Sequence, residues 1–235
     1  MLDRLKLLSL QSAFFLKKID LQNPLQIAQG INSASGSLFN GPPAVLPLQE
    51  NTPPNLPLII LKTKDDKITC NVSRERVDYR YSIQKDPPAD IQAIWESYYD
   101  TLRQIIEYLC MKMKEPTQIW RLGFVAQFFA KLANSANKHI ISRYIQPGIV
   151  EDSWDINVNF LNRFKMETRE VNRWLKLRPI RNRNNQDDDS AMIVEIDINT
   201  LQEKQQDLSQ YEIDAFYEDA YLHIINQDIS KVILD

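Results

Sequence analysis

Asp90-Ile91-Gln92-Ala93-Ile94-Trp95-Glu96-Ser97-Tyr98-Tyr99 opens the element on which the fold reading turns. From there Ile91, Ile94, Tyr98, Leu102, Ile105, Leu109 and Met113 recur at three- and four-residue steps, which puts them on one stripe of an α-helix. A helix with one apolar stripe must bury it, and the β-rich runs around it predict a sheet as the partner. A second stretch, Glu212-Ile213-Asp214-Ala215-Phe216-Tyr217-Glu218-Asp219-Ala220-Tyr221, aligns with the first without a gap. Identities fall at Ile91/Ile213, Ala93/Ala215, Glu96/Glu218 and Tyr99/Tyr221. Two amphipathic helices can share a pattern simply because each buries one face, so the match gains weight only from what precedes each helix.

What precedes them is the same series twice. Residues 5–18 predict a strand and 24–31 a short helix; 58–64, 67–73 and 77–82 are three β-rich runs at hairpin spacing, ended by Asp86-Pro87-Pro88 before the helix at 89–113. In the second half, 118–131 predict a long strand with Gly123 as a candidate bulge, and Asn134 a cap for a helix at 136–145 that Pro147-Gly148 stops. Strands at 155–165, 171–178 and 191–199 and a long helix at 210–234 complete it. The predicted fold class is therefore α+β: two repeated β-α-β-β-β-α halves, 1–114 and 115–235, forming one continuous domain. Its antiparallel curved sheet would carry the long helices on one face. Residues 32–57, rich in Ser, Gly, Asn and Pro, read as a flexible segment that orders on binding.

This element order is similar to the TATA-binding-protein or helix-grip type of fold, in which two repeats make a continuous curved sheet with helices on its convex side. A likeness of topology implies no activity. The stretch 58–81, with Ile119-Trp120-Arg121-Leu122-Gly123 and Met192-Ile193-Val194-Glu195-Ile196-Asp197-Ile198-Asn199-Thr200, resembles a family of uncharacterised, sporadically distributed prokaryotic proteins of similar length. The resemblance spans most of the chain without a diagnostic motif. It transfers no catalytic residue and implies at most an accessory or mobile-element role.

Composition narrows the function classes. A net charge of −3, from 28 basic and 31 acidic residues, gives no bulk attraction to nucleic acid. The 5 glycines are scattered, so neither a Walker loop nor a dinucleotide fingerprint can be assembled, and no cofactor is predicted. Cys70 and Cys110 allow at most one disulfide and no zinc set, which makes a reducing, cytoplasmic setting the default. Residues 5–16 are interrupted by Lys6, Ser9, Gln11 and Ser12, with no small-residue cleavage site after them, and they read as a strand, not a signal peptide. No run approaches the roughly 18 uncharged apolar residues of a membrane helix, so a soluble chain without a membrane partner is expected.

Charge is distributed unevenly. Arg163, Lys165, Arg169, Arg173, Lys176, Arg178, Arg181 and Arg183 stand against only Glu167 and Glu170 within one predicted hairpin, and Phe160, Phe164 and Trp174 interleave with them. Such a ribbon suits phosphates and stacked bases, or an acidic protein partner. It equally suits an edge hairpin guarded by charge, or a patch answering Asp187-Asp188-Asp189. Strand alternation puts Arg173 and Trp174 on opposite faces, so both cannot serve one surface.

Glu195 and Asp197, two apart on a strand, could join Asp155 around Mg²⁺ for a divalent-metal nuclease. No lysine sits at the spacing such nucleases use, and acids on the solvent side of a strand look the same. His139 and His223 have no serine or cysteine nucleophile at a catalytic spacing, and both cysteines read as core. The aromatics Trp95, Tyr98, Tyr99, Tyr108, Tyr211, Tyr217 and Tyr221 read mainly as sheet-packing residues. The resulting expectation is a non-enzymatic binding or adaptor protein that recognises another macromolecule, most readily a protein or a second copy of itself, through its sheet or basic hairpin. Nucleic-acid binding at 163–183 and metal-dependent cleavage are the alternatives.

Overall fold

A computed structural model describes residues 5–17, 19–47, 52–83, 90–132, 135–146, 156–166, 169–180, 190–202 and 206–229. The first half contributes β1 (Leu5–Leu16), α1 (Pro24–Ala34), β2 (Ala44–Val45), β3 (Ile59–Lys62), β4 (Ile68–Val72), β5 (Arg76–Ser82) and α2 (Ile91–Glu107). The second contributes β6 (Ile119–Lys131), α3 (Ala136–Tyr144), β7 (Val158–Lys165), β8 (Glu170–Ile180), β9 (Ala191–Thr200) and α4 (Gln210–His223). The α+β class read from the sequence is the observed one.

The nine described strands form one open sheet in the order β2-β3-β4-β5-β1-β6-β9-β8-β7, with every neighbouring pair antiparallel. From the central β1–β6 pair outward, the first half runs β1, β5, β4, β3 and the second β6, β9, β8, β7. Two bulges interrupt the central pair. Leu8 is the extra residue on β1, between Leu7↔Phe128 and Ser9↔Gln127, and Trp120 is the extra residue on β6, between Phe15↔Arg121 and Leu16↔Ile119. Each therefore lies four residues before one member of the Ser12↔Phe124 pair.

Strand alternation divides the sheet into two unlike faces. One carries Phe14, Tyr79, Leu122, Phe124, Phe128, Val194 and Ile196, all buried. The long helices close this face: the Tyr98 hydroxyl hydrogen-bonds with the Ser12 hydroxyl at 2.8 Å and with the Tyr79 carbonyl at 3.0 Å, and the Tyr217 hydroxyl donates to the Ala13 carbonyl at 3.3 Å. Trp95 and Tyr217 both set their rings edge-on to Phe124. Trp95 also stacks between Tyr99 of its own helix and Tyr221 of α4, with ring centroids 5.1 and 4.3 Å away, which locks α2 to α4. At the flanks, Tyr144 of α3 packs on Phe160 and His223 stacks on Phe164. α1 lies beside β3 and the turn that ends α2.

Local chemistry sets the helix ends. Asp90 caps α2 by accepting from the Ala93 amide, and Ser209 caps α4 in a reciprocal box with Glu212. Both long helices end in a five-residue π-helical turn, Tyr108–Lys112 and Ile224–Asp228.

Three expectations are corrected. The cap of α3 is Ser135, which accepts from the Lys138 amide; Asn134 lies outside the described residues. Gly123 keeps regular register with Ala13 and Asn199 and forms no bulge. α1 runs past Gly30 to Ala34, and the chain then turns through Gly36 and Ser37 at positive φ. Of the 32–57 stretch, Phe39 is buried and its amide donates to the Asn32 side chain, Gly41 N–H donates to the Lys62 carbonyl, and β2 adds an edge to β3.

Candidate functional site: the helix-free face of the sheet

The same alternation that points Phe14 and Phe124 at the helices sends their neighbours to the other side, where no described helix packs. Cross-strand partners share a face, so register identifies its occupants. The outer strands of the first half present Lys62, Arg76 and Arg80, and the central pair presents Lys6, Arg121 and Lys131. The second half presents Lys176 and Arg178 on β8, and Arg163 and Lys165 on β7. Against these ten cations stand four acids among the described strand residues: Asp78, Glu170, Glu195 and Asp197. The chain as a whole carries −3, so positive charge is concentrated on this face.

Two rows of side chains organise its centre. In one, Ser9, Gln127, Glu195 and Lys176 sit opposite one another on β1, β6, β9 and β8. The Ser9 hydroxyl donates to Gln127 Oε1, the Gln127 amide donates to Glu195 Oε2 at 2.6 Å, and Lys176 Nζ donates to Glu195 Oε1 at 2.6 Å. Burial pushes the Glu195 carboxyl up, but the Lys176 and Gln127 hydrogen bonds, with the charges of Lys176 and Arg178, outweigh it and hold the group below its ordinary range. In the other row, the guanidinium carbons of Arg76 and Arg121 lie 5.1 and 4.8 Å from the centroid of the Phe15 ring, one on β5 and one on β6. The Trp120 bulge brings the indole against the same ring at 5.9 Å. Arg76 also pairs with Asp78 at 2.6 Å.

The predicted basic ribbon is divided by the sheet. Arg163, Lys165, Lys176 and Arg178 share the helix-free face with Trp174. Arg173 stands opposite Ile198 and Asn162 and faces the helices, as alternation required. Arg169, in the β7–β8 turn, is paired with Glu212 at the start of α4, its side chain only 15% exposed. Phe160 and Phe164 pack toward α3 and α4. Arg181, Arg183 and Asp155 lie outside the described residues.

Glu195 and Asp197 do share a face, with Glu195 engaged by Lys176 and Gln127. Burial raises the Asp197 carboxyl above its ordinary range, opposed by the Asn199 amide and the charges of Lys176 and Arg121. Among the described residues, no group of three His, Cys, Asp or Glu side chains could hold a metal ion. Cys70 is buried and Cys110 half-buried, both free thiols, and burial pushes them up to about 12 and about 11.

Sequence reading missed the contribution of Arg76, Arg80, Arg121, Lys6 and Lys62. Their signal was present as alternation: in Arg76-Val77-Asp78-Tyr79-Arg80 every second residue is charged. What joins them to the 163–178 hairpin is the sheet order, which only pairing across distant strands provides. No helix among the described residues is long and apolar enough to cross a membrane. No protein-family model matches the chain, and no curated protein is significantly similar to it.

Proposed function

We propose that this is a non-enzymatic, cytoplasmic binding protein that holds a polyanionic macromolecule on the helix-free face of its sheet. The observation that carries the reading is the segregation of charge: ten cations against four acids among the described strand residues of one face, in a chain whose net charge is negative. Aggregation control needs charge only on edge strands, whereas here Arg76, Arg80, Arg121 and Lys176 sit on interior strands. Clustered cations raise local anion concentration and speed encounter even when bulk charge is unfavourable. In the same reading the sheet consists of two repeats related about the Ser12↔Phe124 pair, in TATA-binding-protein or helix-grip order. The equal placement of the Leu8 and Trp120 bulges and the mirrored strand order support it.

Retention on immobilised heparin tests the anion surface. The wild type should bind at low ionic strength, against its net charge, and elute as salt rises. Arg80→Gln with Arg178→Gln, one exposed cation from each half, should elute at clearly lower salt. Lys138→Gln, at an exposed position of α3, should not move. Flow-through of the wild type at low salt, or an equal shift for Lys138→Gln, would overturn the proposal.

A further inference from the structure

Resting on the proposed anion surface, we infer that the ligand is a single-stranded nucleic acid with one base stacked on Trp174. Trp174 stands on β8 with its side chain on the helix-free face, opposite Leu161 of β7 and Asp197 of β9. It is half-buried, and among the described residues it has no ring partner, whereas Trp95 and Trp120 both do. Leu161 beside it is 49% exposed. A half-buried indole on a sheet, without a ring partner among the described residues, is a stacking platform, and every base has a π-face to lay on it.

The surroundings decide between the kinds of anion. Lys176 follows Trp174 by two residues on the same face, and Arg178 lies two further on. Arg163 reaches the same side from β7, opposite Asn172. Protein–protein interface cores are depleted of charge and sealed by apolar neighbours, while Trp174, with Leu161 and Asp197 directly across from it, has the cations Lys176 and Arg163 and the amides of Asn172 and Asn199 among its other neighbours on this face. Cations that track a phosphate backbone, amides that can read base edges and an aromatic plane between them are what an unpaired strand requires. A duplex keeps its base faces stacked on one another and would find only the cations.

Fluorescence anisotropy of one labelled DNA oligonucleotide, single-stranded and as the duplex, at two salt concentrations tests this with the full chain. The wild type should bind the single strand tenfold or more tightly than the duplex, with affinity falling steeply as salt rises. Trp174→Ala should lose about tenfold on the single strand with heparin elution unchanged, and Trp174→Phe should recover most of the loss. Arg163→Gln with Arg178→Gln should weaken single strand and duplex alike and flatten the salt dependence. Equal affinity for both forms and no effect of Trp174→Ala would overturn the stacking inference while heparin retention keeps the anion surface. Binding of polyglutamate in place of either nucleic acid would assign the face to an acidic protein. Loss of heparin retention in the wild type would remove the reading beneath the inference as well.

Discussion

Replacing Arg169 with alanine separates the structural cations of the 163–178 hairpin from those that face the proposed ligand. Arg169 pairs with Glu212, the residue that also closes the capping box of α4 by accepting from the Ser209 amide. The two side chains are 15% and 30% exposed, which lies between a surface pair worth about 0–1 kcal/mol and a buried one whose breaking costs about 3–5 kcal/mol. About 2 kcal/mol is the expected loss, or a fall of roughly 4–8 °C in Tm for a chain of this size. Circular dichroism melts and urea titrations at pH 7 would read it, and heparin elution should be unchanged. The Glu212 carboxyl is held below its ordinary range first by the Ser209 backbone N–H, then by the Ser209 hydroxyl and Arg169. A depressed carboxyl stabilises the fold fully above its unfolded value, about pH 4.3, and that contribution disappears as pH falls through the folded value. The gap between wild type and Arg169→Ala should thus be widest near neutrality and close in acid. A variant that melts with the wild type at pH 7 and elutes early from heparin would refute the assignment and return Arg169 to the ligand face.

Three further outcomes follow from the same geometry. Asp197→Asn should raise stability by about 0.5–1 kcal/mol at pH 7, because burial lifts that carboxyl and the charged form is the disfavoured one above its folded value. It should also raise the salt needed for heparin elution, and a lowered Tm would show that the carboxylate has a partner it depends on. Tyr98→Phe removes the hydroxyl that hydrogen-bonds with the Ser12 hydroxyl and the Tyr79 carbonyl and should cost about 1–2 kcal/mol in urea titration. Its effect should be non-additive with Ser12→Ala; strict additivity would mean the two hydroxyls are not coupled. At pH 7.5 the folded protein should leave Cys70 unmodified by iodoacetamide and react slowly at Cys110, since burial pushes the thiols up to about 12 and about 11. Both should react at once in urea, and rapid native labelling of Cys70 would contradict its burial.

Nearly every element was legible from the chain because each has a local cause. The apolar stripe at 91–113 has helical period, the runs at 58–82 have strand length, and Ser209 with Glu212 is a capping box in sequence as in structure. The misreadings have local causes too. A glycine in a strand suggests a bulge, but Gly123 faces Ala13 and Asn199, small neighbours that leave ordinary room for a Cβ at 3.8 Å. The bulge on β6 falls instead at Trp120, whose indole finds Phe15. The basic hairpin stood out because its charges are consecutive in sequence, yet burial against α4 withdraws Arg169, and alternation turns Arg173 toward the helices. The cations that replace them come from β1, β3, β5 and β6. Adjacency across a sheet is set by strand order and register, and neither is written in any short window of sequence.

Under the proposed repeat, exchange about Ser12↔Phe124 compares the two faces position by position. Toward the helices it swaps Leu10 for Leu122, Phe14 for Ala126 and Val77 for Ile196, apolar for apolar, as a shared core demands. On the helix-free side it swaps Phe15 for Gln127, Arg121 for Ser9 and Arg76 for Glu195, so one row of cations around an aromatic ring corresponds to a neutral and acidic ladder. Asp78 and Asp197 remain alike, but across from them stand Asn71 and Trp174. Packing constrains both halves equally on the buried face, whereas the solvent face is free to diverge unless a ligand holds it. The halves retain matched cations at Lys62 and Arg163 beside apolar Ile60 and Leu161 on the outer strands, and only the second half sets an indole between its cation and its acid. Under the proposed repeat, matched outer cations at Lys62 and Arg163 with an indole beside only one of them would give a bound strand a preferred place and direction, which charge alone would not.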